Sequence, residues 1–243
     1  MLVIAHRGAS GHYPENTLLA IAKALEAGCD GIEFDVQNVG EQLMVFHDET
    51  LERTTNGKGR LSDYSFNQLR QLDAGLGQRI PTLREVLDLI GDQAFINIEL
   101  KGQDTANLVV KLLKLLAYEQ ELHQSSPCGY SHYPWRQQSQ FIVSSYHFSE
   151  LYLARQLEPE LQLAVIADKR MPIALEFAKD IGAYSFHPSL AEVNKQLVRQ
   201  VQAAGMRLFV HTVNTLDEIK RMQQLGVDGV FTDYPSRDLI KAL

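Results

Sequence analysis

Three carboxylates stand on two short apolar segments where they could hold a metal ion together. Glu33 and Asp35 lie in GIEFDV, and Glu99 lies in FINIEL. Side chains two residues apart share one face of a strand, so Glu33 and Asp35 point the same way. Three carboxylates at close range repel, and at least one would be protonated without a compensating cation. Because the donors are all oxygens, Mg²⁺ or Ca²⁺ is favoured over Zn²⁺.

Two histidines occupy positions where they could act beside these carboxylates. His6 and Arg7 end the first apolar run, LVIA, and the loop that follows brings Glu15. His47 ends a further extended piece, LMVFH. A buried strand gains nothing in packing by ending in His-Arg-Gly, so this loop predicts a functional site.

An ion network without metal is the alternative interpretation. Glu33 would pair with Lys101, which shares a face with Glu99, and Asp35 would pair with Arg7, serving fold specificity alone. The histidines favour a functional site, since purely structural networks rarely include two of them.

The elements that must position these residues alternate regularly along the chain. Amphipathic, helix-like segments that stop at glycine separate apolar runs, which predicts a parallel sheet with helices outside. Eight such units indicate a (β/α)8 TIM barrel. An open doubly wound sheet is the alternative, but no GxGxxG follows any of the runs. The predicted strands are 2–6, 31–36, 95–100, 141–145, 162–167, 183–187, 206–211 and 227–232.

Two segments interrupt this alternation within what we expect to be a single domain, residues 1–243. The first, a small insertion at about 49–79, follows the second strand. The second, 118–140, follows a helix. Loops after strands open on the catalytic face of such a barrel, and loops after helices open on the opposite face. The first segment can therefore cover a site, whereas the second is expected to be remote from chemistry, with His123, His132 and Trp135 as surface or packing residues.

The composition excludes several kinds of partner. The formal net charge is −7 and no run of Lys or Arg occurs, so nucleic acid and anionic membranes are not expected. No apolar run approaches the roughly 18 residues of a membrane span, so we expect no stable membrane association. The two cysteines, Cys29 and Cys128, suggest no disulfide framework. A cytoplasmic location is the expectation.

Five motifs in fixed order resemble the glycerophosphodiester phosphodiesterase family. They are HRG with PENT, ExD, HD, ExK, and the closing pair VHTVN and TDYP, and they span His6 to Pro235. The resemblance implies Glu33, Asp35 and Glu99 as ligands of one Mg²⁺ or Ca²⁺ ion. It implies His6 and His47 as the acid–base pair, and Arg7 and Lys101 as phosphate contacts.

The same resemblance implies a reaction and its substrates. Glycerophosphodiesters such as glycerophosphocholine and glycerophosphoethanolamine would be hydrolysed to glycerol 3-phosphate and an alcohol. Glu15, His187 and His211 are possible substrate contacts. His211 stands where the family often has Trp, which leaves the substrate preference open. Asn16 is suited to cap the first helix.

The sequence is compatible with two other functions. It does not determine the oligomeric state. A phospholipase C- or D-like phosphodiesterase acting on phospholipid head groups would share this layout, although such enzymes are usually exported or carry an apolar rim. A non-catalytic phosphodiester-binding barrel would lack a catalytic residue, and the sequence lacks none.

Overall fold

Eight parallel strands close into a ring, as the sequence predicts. The computed structural model describes residues 1–124 and 140–236. The ring runs β1-β2-β4-β5-β6-β7-β8-β9 and closes by pairing β9 with β1, while β3 lies outside it, antiparallel to β2. The strands are β1 Leu2–His6, β2 Gly31–Val39, β3 Gln42–Val45, β4 Phe95–Lys101, β5 Phe141–Ser145, β6 Gln162–Ala167, β7 Ser185–Pro188, β8 Arg207–Val210 and β9 Gly229–Thr232.

Among the described residues a helix follows every ring strand except β9, and this alternation confirms the (β/α)8 architecture. They are α1 Leu18–Glu26, α2 Phe66–Leu69, α3 Leu83–Ile90, α4 Thr105–Gln124, α5 Phe148–Leu157, α6 Met171–Asp180, α7 Lys195–Ala203 and α8 Leu216–Leu225. In the described ranges, none of them combines the length and the apolar composition that a bilayer crossing requires.

The first helix corrects one expectation. Thr17, not Asn16, is the N-cap of α1, and its hydroxyl accepts a hydrogen bond from the backbone N–H of Ala20. Asn16 has a φ of +56° and turns its amide to Asp35 instead, donating from Nδ2 to Oδ2 at 2.8 Å. The residue expected to start a helix therefore fixes a carboxylate of the site.

One apolar cluster packs on the outer face of the barrel strands and a second packs on their inner face. Ile32 and Phe34 belong to the large layer between strands and helices. Ile4, Phe209 and Phe231 belong to a smaller cluster that fills the barrel interior. Since alternate residues of β2 face outward into the first layer, the residues between them face inward.

The insertion between β3 and α3 has an apolar cluster of its own. It contains α2 and a short 3₁₀ helix, Leu61–Asp63, and it packs Leu51, Leu69 and Ile80 together. Gln37, near the end of β2, donates from Nε2 to the carbonyls of Phe46 and Asp48 at 3.0 and 2.8 Å. The insertion is thus anchored on both sides of His47. His132 and Trp135, in the second interrupting segment, lie outside the described residues.

Candidate active site

Three carboxylates on the neighbouring strands β2 and β4 meet on the inner face of the barrel. One oxygen from each of Glu33, Asp35 and Glu99 lies within 4.8 Å of the others, and all three side chains are buried. The register of the two strands explains this, because Asp35 is paired with Glu99 and Glu33 with Asn97. The structure thus brings together the residues that the sequence singled out as metal ligands.

Burial and mutual repulsion make these carboxylates hard to ionise together. Burial raises the pKa of Glu99 to about 7, with Asp35 adding repulsion. Burial also raises the pKa of Glu33 well above its ordinary value. For Asp35 burial acts in the same direction, but the charges of Arg7 and Lys101 outweigh it and its pKa is lowered. Within the described residues, Glu33 Oε1 has no hydrogen-bond partner. Buried, hard oxygen donors of this kind fit a divalent cation such as Mg²⁺ or Ca²⁺.

Two cations cover the carboxylates, but not in the arrangement of the ion-network alternative. Arg7 Nε lies 3.2 Å from Asp35 Oδ2, as that alternative expects. Lys101 Nζ lies 2.5 Å from Glu99 and 3.4 Å from Asp35, so it pairs with these rather than with Glu33. Glu33 instead accepts the backbone N–H of Arg7 at 2.9 Å. Among the described residues, Glu33 is therefore the one carboxylate of the three that has no ion pair of its own.

His6, at the end of β1, is held by an aspartate at the far end of the chain. Its Nδ1 lies 2.7 Å from Oδ1 of Asp233. Asp233 also accepts hydrogen bonds from Ser10 Oγ at 3.0 Å and Asn214 Nδ2 at 2.6 Å. Burial opposes its ionisation, but the contact with His6 above all, together with the hydrogen bonds from Asn214 and Ser10, lowers the pKa of Asp233 to about 2. An ionised carboxylate keeps the proton on Nδ1, which leaves Nε2 for proton exchange.

His47 is oriented in the same way, but from the insertion. β3 ends at Val45, so His47 stands in the loop, with Nδ1 2.5 Å from Asp48 Oδ1. Arg53 donates two hydrogen bonds to Asp48 and two to Glu15, at 2.5 to 2.9 Å. The Arg53 hydrogen bond is the main reason that the pKa of Asp48 falls to about 2. Burial lowers the pKa of His47, so its ring is neutral and able to accept a proton near pH 7.

The other possible substrate contacts lie in different places. Glu15 is not among the residues that line the cavity, and its carboxylate accepts hydrogen bonds from Arg7 Nη1 at 2.8 Å and from Arg53. His211 lies on the wall opposite the carboxylate strands, and its Nε2 is 3.0 Å from Asp168 Oδ1 and 3.1 Å from the hydroxyl of Tyr146. His187 is almost fully buried. A cavity of about 140 Å³ is lined by residues that include His6, Arg7, Glu33, His47, Glu99, Lys101, His187 and His211.

Acidic, cationic and imidazole groups around one small cavity at the carboxyl ends of a TIM barrel suit a hydrolase of phosphate esters. Residues 6–237 match the glycerophosphoryl diester phosphodiesterase family. The chain is 36% identical to a glycerophosphodiester phosphodiesterase of Caldanaerobacter subterraneus over 96% of its length and 94% of that protein. It is also 36% identical to one of Bacillus altitudinis, over 97% of this chain and 95% of that one.

A solved structure agrees with the sequence relatives. A phosphodiesterase of Oleispira antarctica, in complex with the product sn-glycerol-3-phosphate, superposes with a TM-score of 0.84 at 28% identity. The match covers 99% of this chain and 97% of that one. The chain belongs to the glycerophosphoryl diester phosphodiesterase family and is a hydrolase with glycerophosphodiester phosphodiesterase activity.

Sequence reasoning missed the side chains that orient the histidines. Asp48 follows His47 directly, and that adjacency was a usable signal. Asp233 lies in the closing motif TDYP, and nothing in the sequence connects it with His6. No sequence signal could link Asp168 with His211, because the loops after β6 and β8 bring them together.

Proposed function

We propose that this enzyme hydrolyses glycerophosphodiesters such as glycerophosphocholine and glycerophosphoethanolamine to glycerol 3-phosphate and the free alcohol, with one Mg²⁺ or Ca²⁺ ion. The observation that carries the proposal is the cluster of Glu33, Asp35 and Glu99 within 4.8 Å, next to two aspartate-held histidines. The glycerol 3-phosphate named in the Oleispira complex is the product that this reaction would release.

The three carboxylates would hold the metal ion. When bound, the ion supplies positive charge where negative charge gathers on the phosphate oxygens. Arg7 and Lys101 would supply further positive charge from the rim, since both side chains line the cavity. Their ion pairs with Asp35 and Glu99 hold them in position before substrate arrives.

The two histidines would divide the proton transfers. One accepts the proton of the attacking hydroxyl or water, and the other donates a proton to the departing alkoxide. Asp233 and Asp48 hold the rings in a fixed tautomer and stabilise the imidazolium that forms. The two roles suit groups on different elements, because acid and base act on opposite sides of one phosphorus.

The test compares the enzyme on two substrates of different class. With glycerophosphocholine and Mg²⁺, ³¹P NMR should show glycerol 3-phosphate appearing, with choline released in equal amount. Vesicles of phosphatidylcholine should be turned over at least about 100-fold more slowly. Comparable turnover of the vesicles would favour the phospholipase alternative. Binding of glycerophosphocholine without turnover of either substrate would favour the non-catalytic barrel.

A further inference from the structure

Two buried polar atoms in the cavity belong to neither the carboxylate cluster nor the histidine pairs. Asn97 and His187 both line the cavity, and each is only 1% exposed. Among the residues that the structure describes, Asn97 Oδ1 and His187 Nδ1 have no hydrogen-bond partner. Because buried polar atoms are nearly always paired in folded proteins, two such atoms in one cavity point to a ligand.

Their position places that ligand group beside the carboxylate cluster, in the same cavity. Asn97 precedes Glu99 by two residues on β4 and shares its face, so it lies roughly 6–7 Å along the strand from Glu99, at the register position of Glu33. The ring of His187 packs against Phe209 and Phe231, with centroids 5.4 and 5.0 Å apart. We call Asn97 and His187 the floor of the cavity.

The floor suits an uncharged group. Burial lowers the pKa of His187 well below its ordinary value, so the ring is neutral. Asn97 carries no charge, and its Nδ2 is already engaged, donating to Ser144 Oγ at 2.9 Å. The floor therefore contributes no countercharge to a phosphate or an ammonium group.

One arrangement of the hydrogen bonds at the floor suits a hydroxyl group. Ser185 Oγ lies 2.9 Å from His187 Nε2. If the serine hydroxyl donates to Nε2, the imidazole proton sits on Nδ1 and can be donated into the cavity. Asn97 Oδ1 can only accept. One donor and one acceptor match a hydroxyl group, which can accept from the imidazole and donate to the amide oxygen.

We propose that the floor, Asn97 and His187, binds the terminal hydroxyl of the substrate's glycerol, the one farthest from phosphorus. This inference rests on the proposed function and assigns a subsite within it. Phe231 and Ile166, which also line the cavity, would contact the carbon chain above that hydroxyl. The floor would thereby distinguish glycerophosphodiesters from diesters whose carbon chain lacks this hydroxyl.

The test measures binding of four phosphate monoesters by calorimetry in the presence of Mg²⁺. They are sn-glycerol 3-phosphate, 3-hydroxypropyl phosphate, 2-hydroxypropyl phosphate and n-propyl phosphate. The wild-type protein should bind the first two about tenfold or more tightly than n-propyl phosphate, since two hydrogen bonds are gained. It should bind 2-hydroxypropyl phosphate about as weakly as n-propyl phosphate.

The variants remove the donor or the acceptor while filling the same space. His187→Phe and Asn97→Leu should each abolish the preference for the terminal hydroxyl and leave the affinity for n-propyl phosphate within about threefold. His187→Asn, which can place an amide N–H near the position of Nδ1, should retain part of the preference. Should His187→Phe fail to fold, Asn97→Leu and His187→Asn still test the proposal.

Three results would overturn the inference. The first is equal binding of all four ligands by the wild-type protein, and the second is an equal loss of affinity for all four ligands in the variants. The third is a loss of Mg²⁺ affinity in Asn97→Leu, measured with Mg²⁺ and no phosphate monoester. The last result would make Asn97 a metal ligand. Failure of the wild-type protein to hydrolyse glycerophosphocholine would refute the proposed function. The binding preference is measured separately from hydrolysis, so the two failures can be distinguished.

Discussion

Replacing Glu99 by Gln should make the metal-free protein more stable while removing its response to metal. Glu99 has a pKa of about 7 in the folded protein, against an ordinary value of 4.5. The folded state therefore binds more protons than the unfolded state, and the stability associated with this group is fully present below pH 4.5 and is lost as the pH rises through about 7. A difference of about two and a half pKa units corresponds to about 3 kcal/mol. Gln resembles the protonated acid, so it avoids this loss.

The assay is thermal unfolding in excess EDTA between pH 5.5 and 8.5. At pH 8 the Glu99→Gln variant should melt about 6–12 °C above wild type, because each kcal/mol of stability raises the melting temperature by roughly 2–4 °C for a chain of this size. Adding Mg²⁺ or Ca²⁺ should raise the melting temperature of wild type far more than that of the variant. Glu49→Gln is the matched control, because the Glu49 side chain is 81% exposed and should change little. A metal-free Glu99→Gln protein no more stable than wild type at pH 8 would refute the electrostatic reasoning.

Three further predictions concern the histidines and the residues that hold them. His6→Ala and His47→Ala should each lower turnover about 10²–10⁴-fold, and the double variant should lose less than the product of the two single losses. Calorimetry should show a metal affinity near that of wild type in all three variants. Loss of metal binding would instead make the replaced histidine a metal ligand. Asp233→Asn should lower kcat by roughly 10²–10⁴-fold, because the His6 ring would then adopt the wrong tautomer. Steady-state kinetics that show a change in KM alone would contradict this. Arg53→Ala should let the pKa of Asp48 rise from about 2 toward its ordinary value of 3.8, because Arg53 supplies the main hydrogen bonds to that carboxylate. An NMR titration of the Asp48 carboxyl group measures this, with Arg53→Lys as the control, and an unchanged pKa would contradict it.

The barrel and its carboxylates could be predicted from the sequence because both follow from local periodicity. Alternation along β2 sends Glu33 and Asp35 to the face opposite Ile32 and Phe34. Parallel strands bring their carboxyl ends to the same rim, so Glu99 had to come close. Neither the face of Glu33 and Asp35 nor the approach of Glu99 requires knowledge of contacts between distant parts of the sequence.

The partners of the histidines required the folded chain. His6 and Asp233 are separated by 227 positions, and only closure of the ring between β1 and β9 joins them. The error at Asn16 has a related cause. Asn and Thr are both good N-caps, and the sequence does not choose between neighbours. The choice is made by Asp35, which binds the Asn16 amide and leaves capping to Thr17.

Metal-dependent turnover of glycerophosphocholine is the most direct test of the account as a whole. The enzyme is dialysed against EDTA until its metal content, measured by mass spectrometry, is below about one-tenth of an equivalent, and hydrolysis is followed by ³¹P NMR. The account predicts that turnover stops and returns when Mg²⁺ or Ca²⁺ is added. Full turnover by the metal-free enzyme would contradict it and leave Glu33, Asp35 and Glu99 as members of an ion network.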